Sequence, residues 1–84
     1  MSQNEKLLKR FLGKPKDFTW SELSRLLSGF GYVESSAGKT GGSRRRFLHE
    51  EYGPIILHKP HPGNELKSYQ VEQIITCLKV GGIL

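Results

Sequence analysis

Imidazole and guanidinium groups crowd into one stretch of this chain. Arg44, Arg45 and Arg46 are consecutive, and His49, His58 and His61, all the histidines of the sequence, follow soon after. Lys39 precedes the arginines in a glycine-rich segment, and Lys59 lies between the last two histidines. From Ala37 to Phe47 there are four basic residues and no acid. Imidazole exchanges protons near neutral pH. Guanidinium stays charged up to a pH of about 12, so it holds anions and takes no proton. This is the apparatus needed to cut RNA through its own 2′-hydroxyl. One group takes the hydroxyl proton, another protonates the departing 5′-oxygen, and cations steady the crowded phosphorane. Such cleavage needs no metal, and no cofactor is expected. The same groups also suit RNA binding without cleavage, and composition does not separate the two.

The rest of the sequence bounds these readings. Eighty-four residues make one small domain and exclude a two-domain enzyme with its own cofactor fold. A domain of this size hides only about 60% of its extended-chain surface, which rules out large buried cavities. Thirteen Lys/Arg against eight Asp/Glu give a formal charge of +5. That excess points to a polyanion, with RNA or DNA the commonest. An acidic protein partner is a further reading, and ordinary solubility charge is the bland one. Cys77 is the single cysteine, so no intrachain disulfide is possible and a reducing compartment suits the chain. The opening MSQNEKLLKRFL interleaves charges with leucines, unlike a secretory signal, and no segment approaches the ~20 apolar residues of a membrane span. A cytoplasmic protein with no membrane partner is expected.

The positioning elements follow from periodicity. Leu7, Leu8, Phe11 and Leu12 recur at helical spacing until Gly13 and Pro15, which predicts a short helix over residues 3–12. Thr19 and Glu22 form T-x-x-E, a capping box in which each side chain satisfies an orphan amide. Trp20, Leu23, Leu26, Leu27 and Phe30 continue at helical intervals, predicting a helix over residues 19–28 stopped by Gly29 and Gly31. Three antiparallel strands are expected at about 32–36, 43–49 and 54–59, followed by a turn at HPGN. Ser68 is expected to cap a last helix with Val71, Ile74, Ile75 and Leu78 in one stripe and Gly81 and Gly82 at its end.

The fold class is therefore α+β. Its order is α-β-β-β-α with a short N-terminal helix, and a three-stranded antiparallel sheet carries two helices on one face, as in the double-stranded-RNA-binding domain (dsRBD). Residues 1–17 read as an N-terminal extension and residues 18–84 as the domain proper. If the turn at 49–53 closes the second and third strands, Arg44 lies across from His58 or Lys59, and Arg46 across from Ile56 or Leu57. Alternation sends Phe47 into the core, turns Arg45 to the helix side and leaves Arg44 and Arg46 outward.

Three stretches in this order resemble the HicA (YcfA-like) toxins of type II toxin–antitoxin systems. They are FTWSELSRLLSGFGYV, GGSRRRF, and HPGNEL before a helix with a glycine end. The resemblance covers about residues 18–81. It implies a dsRBD-like fold, a ribosome-independent mRNA interferase, and a HicB antitoxin that covers its site. The family motif after the loop is usually Gly-Ser-His, with that histidine taken as catalytic. Here Gly42 and Ser43 are followed by Arg44. Proton transfer then passes to His61, which matches a histidine or polar position common in the family, with His58 second. Feeble catalysis, or a non-catalytic RNA-binding module, are the competing explanations. The residues expected to hold RNA are Lys39, Gly42, Ser43, Arg44, Arg46 and Lys59.

Other signals read more plainly. AGKT lacks the glycine that a phosphate loop needs five positions before Gly38, where Val33 stands. His58-x-x-His61 has no cysteine pair beside it, and Pro60 disfavours a helical pair, so no metal site is expected. Cys77 reads as a small packing residue, His49 as exposed polar surface, and Trp20 and Tyr69 as core or staple residues. Glu50 and Glu51 mark the far end of the basic patch. The bland reading of the arginine triplet is a solvated strand edge.

Overall fold

The computed structural model describes residues 3–36, 44–60 and 63–84. In chain order the elements are α1 (Gln3–Leu12), α2 (Trp20–Gly29), β1 (Val33–Ser36), β2 (Arg44–Leu48), β3 (Ile55–His58) and α3 (Ser68–Val80). The strands form one antiparallel sheet in the order β1-β2-β3. The expected α+β architecture is the one observed. β2 is the central strand, so its arginines are not the solvated sheet edge of the bland reading.

Local chemistry explains where α2 starts and stops. Thr19 has extended backbone, its hydroxyl accepts the Glu22 amide, and the Glu22 carboxylate accepts the Thr19 amide. Two orphan donors are thereby satisfied. At the other end, Gly31 has φ 98°, a region L side chains rarely adopt, and its amide donates to the Ser28 carbonyl. A Cβ there would also meet His49 Nε2 at 2.8 Å. Ser68 is not the cap of α3. The N-cap is Lys67, one residue earlier, whose amide donates to the Gln70 side-chain oxygen at 3.0 Å. The glutamine three residues after the cap satisfies the cap's own amide, the reciprocal half of a capping box, which differs from the first-turn amide that a serine hydroxyl was expected to hold.

The core lies between the helices and one face of the sheet. Trp20, Leu23, Leu26 and Leu27 of α2 and Val71, Ile74, Ile75 and Leu78 of α3 are buried with Phe47, Ile55 and Leu57 of the sheet. α1 shares this core. Phe11 is fully buried, with its ring 4.8 Å from that of Phe18. Arg10 donates to Glu22 at 2.6 Å and to Asp17 at 2.8 Å, clipping α1 to the start of α2. Beyond β3, Thr19 and Glu65 form an isolated antiparallel bridge. Trp20 N–H donates to the Asn64 carbonyl at 2.7 Å, and Leu66 N–H to the Phe18 carbonyl at 2.8 Å. The stretch before α3 is thus tied to the entrance of α2.

Candidate functional site

The ladder sets the site. β2 pairs with β3 so that Arg44 faces His58, Arg45 faces Leu57, Arg46 faces Ile56 and Phe47 faces Ile55. Of the two registers the hairpin arithmetic allows, this is the one that pairs Arg44 with His58 rather than Lys59 and Arg46 with Ile56 rather than Leu57. Directly opposed residues bring their Cβ atoms within about 5.5 Å of each other, so the Arg44 and His58 side chains leave the sheet from adjacent positions. Burial alternates along β3, with Ile55 and Leu57 buried and Ile56 and His58 exposed. His58 therefore stands on the helix-free face, as does Arg44. Two residue pairs along the ladder, Ser35, Arg46 and Ile56 form the next row on that face. Val33 and Leu48 form the row beyond it, and both are exposed. Lys59 is exposed immediately after β3. The outer face is basic at the Arg44–His58 end and apolar at the other, with the acidic Glu50 and Glu51 in the turn past the apolar end.

Arg45 points the other way. Its Nε lies 4.0 Å from Glu34 Oε2, on the helix side. That carboxylate also accepts Trp20 Nε1–H at 3.1 Å and the Ser24 hydroxyl at 2.6 Å. Glu34 therefore ties β1 to α2 and supplies Arg45 with a counter-charge beneath the sheet. Nothing in the sequence pattern singled Glu34 out for this task.

His58 is anchored through its backbone. Its carbonyl accepts a hydrogen bond from Gln70 Nε2 at 2.8 Å. Gln70 is the buried polar side chain of α3, only 4% exposed. Sequence reasoning missed it, because a single glutamine in an apolar stripe looks like an ordinary surface position. The available signal was its place three residues after the helix cap.

Several expectations are corrected. His49 is half-buried rather than exposed polar surface. Its Nε2 lies 2.9 Å from the Phe30 carbonyl, its Nδ1 accepts the Glu51 amide at 2.9 Å, and its ring packs edge-on against Tyr32 and Tyr52. A carbonyl only accepts, so Nε2 donates to Phe30 while Nδ1 accepts from Glu51. Burial, with smaller contributions from Cys77 and Tyr52, pushes the Tyr32 phenol above its usual value of 10.0. His49 thus closes the β2–β3 turn and stands apart from the basic patch. Cys77 is exposed rather than packed, because it falls outside the stripe that faces the sheet. Tyr69 is 61% exposed at the start of α3, whereas Trp20 is in the core as expected.

Of the residues expected at the site, Arg44, Arg46, His58 and Lys59 lie on or beside the outer face. Lys39, Gly42, Ser43 and His61 lie outside the described residues. Among the described residues no three His, Cys, Asp or Glu side chains come together as a metal site, and no helix is long and apolar enough to cross a membrane.

No curated protein and no solved structure matches the chain. The family model described as the HicA toxin of bacterial toxin–antitoxin systems matches residues 20–83. That span starts at the first residue of α2 and contains the whole sheet and α3, so it includes every element that builds the Arg44–His58 face. The chain belongs to the HicA toxin family of bacterial toxin–antitoxin systems.

Proposed function

We propose that this toxin is an mRNA interferase, a metal-independent endoribonuclease whose site is the outer face of the sheet around Arg44 and His58, and which a HicB-type antitoxin neutralises. The observation that carries this reading is the direct opposition of Arg44 and His58 on an exposed, helix-free face.

The chemistry follows from the residue types. The scissile phosphate lies against Arg44 and Arg46, whose fixed charges favour the additional negative charge of the phosphorane. An imidazole accepts the 2′-hydroxyl proton, and the 2′-oxygen forms a bond to phosphorus. The bond from phosphorus to the 5′-oxygen then breaks, and that oxygen takes a proton. The products are a 2′,3′-cyclic phosphate and a 5′-hydroxyl. His58 and His61 carry these proton transfers. His58 is supported by its place opposite Arg44, and His61 by the family resemblance. Lys39, Gly42, Ser43 and Lys59 complete the grip on RNA.

A second reading is a non-catalytic RNA-binding module. It is favoured by one observation, the arginine at position 44 where the family usually has the histidine of Gly-Ser-His. Incubating purified protein with a generic mRNA in the presence of a chelator separates the two. Fragments ending in cyclic phosphate support the interferase. Intact RNA retained by the protein supports the module.

A further inference from the structure

We propose that Gln70 is a positioning residue for His58. This inference rests on the reading of Arg44 and His58 as the RNA site. The side-chain amide of Gln70 is 4% exposed and bonded at both ends. Its oxygen accepts the Lys67 amide at 3.0 Å, which fixes the glutamine at the N-cap of α3. Its nitrogen donates to the His58 carbonyl at 2.8 Å. β3 is an edge strand, so the last residue of its ladder is the place where the sheet is most free to twist or fray. Fixing the carbonyl of His58 fixes that residue's ψ and therefore the direction from which its imidazole leaves the sheet.

The bond also has a chemical logic. A buried amide makes its full set of bonds or destabilises its surroundings, so Gln70 has one arrangement that satisfies both the helix cap and the strand end. Any shift of β3 along α3 breaks one of the two bonds. The helix cap and the position of His58 opposite Arg44 are thereby coupled through one side chain. A catalytic base displaced by about 1 Å can lose about 100-fold in rate, which makes a rigid strand end valuable at this position.

The test compares three variants with wild type. Gln70→Met keeps the volume and removes both bonds. Gln70→Glu keeps the acceptor for Lys67 and replaces the donor that faces His58. Ile74→Val trims a buried side chain one turn further along the same helix without removing either Gln70 bond, and serves as the control for general loss of stability. With wild type cleaving RNA, both Gln70 variants lose tenfold or more in kcat with KM changed less than threefold, while Ile74→Val keeps its kcat despite a lower Tm. Wild-type kcat in both folded Gln70 variants, or an equal loss in Ile74→Val, overturns the inference. Should wild type leave RNA intact, the cleavage reading fails, and positioning is read instead from the NMR titration of the His58 imidazole. A midpoint shifted in the uncharged Gln70→Met but not in Ile74→Val supports positioning. One midpoint common to wild type, Gln70→Met and Ile74→Val overturns it.

Discussion

Glu34 and Arg45 face each other beneath the sheet at 4.0 Å, on the opposite side from the other two arginines of the triplet. Arg45 is drawn to the helix side, where the carboxylate also holds Trp20 and Ser24. Arg44 and Arg46 are left on the opposite face beside His58. Three consecutive arginines therefore face two ways, and the division is set by strand alternation.

Salt dependence reads this division. Each phosphate contact to single-stranded RNA adds about 0.7 to the slope of log affinity against log salt. Arg44→Ala and Arg46→Ala should each weaken RNA binding and flatten the slope by about that amount. Arg45→Ala should leave the slope unchanged. Fluorescence anisotropy across a salt series checks this, and equal flattening by all three variants contradicts it.

The Thr19–Glu22 capping box carries a pH dependence. Burial raises the Glu22 pKa, but its bonds to the Thr19 amide, to Arg10 and to the Thr19 hydroxyl outweigh burial and hold it below the ordinary 4.5. A carboxyl group depressed in the folded state stabilises the fold above its unfolded pKa, and that stability is lost as pH falls through the folded value. Below pH 4.5, the Tm of wild type should therefore fall more steeply than that of Glu22→Gln. Parallel curves would show that the carboxylate contributes nothing.

Thr19→Ala removes the hydroxyl half of the same box and should cost about 1 kcal/mol. Phe11→Ala probes the contribution of α1. Its side chain is fully buried against Phe18, so truncation should cost about 3–5 kcal/mol. A loss that large threatens a domain whose total stability is of order 5–15 kcal/mol. Urea unfolding measures both, and a cost below 1 kcal/mol for Phe11→Ala would place α1 outside the cooperative fold.

His49→Phe keeps the aromatic bulk between Tyr32 and Tyr52 and deletes both hydrogen bonds. The Phe30 carbonyl and Glu51 amide lose their partner, at a cost of about 1–3 kcal/mol. RNA cleavage by the folded variant should stay near wild type, because His49 sits at the turn and away from Arg44. A folded variant with no cleavage would move His49 into the site.

Much of this was legible in the sequence. Apolar spacing marked the helices, the T-x-x-E box marked the start of α2, and the hairpin sum narrowed the partner of Arg44 to His58 or Lys59, of which the structure has His58. These signals are local or follow from strand pairing. What stayed hidden depends on tertiary contact. Gln70 looks like a surface residue until β3 is laid against α3. His49 looks like a turn residue until the Phe30 carbonyl arrives from the end of α2. Cys77 and Tyr69 were misjudged for a related reason, since a helical stripe shows which residues face inward more reliably at its centre than at its flanks.

The central claim is that His58, held opposite Arg44, moves a proton during RNA cleavage. Single-turnover cleavage by wild type and by His58→Ala, with RNA affinity measured alongside, tests it most directly. The rate should fall about 10²–10⁴-fold, with binding changed only a fewfold. A His58→Ala protein that cuts at the wild-type rate would contradict the claim.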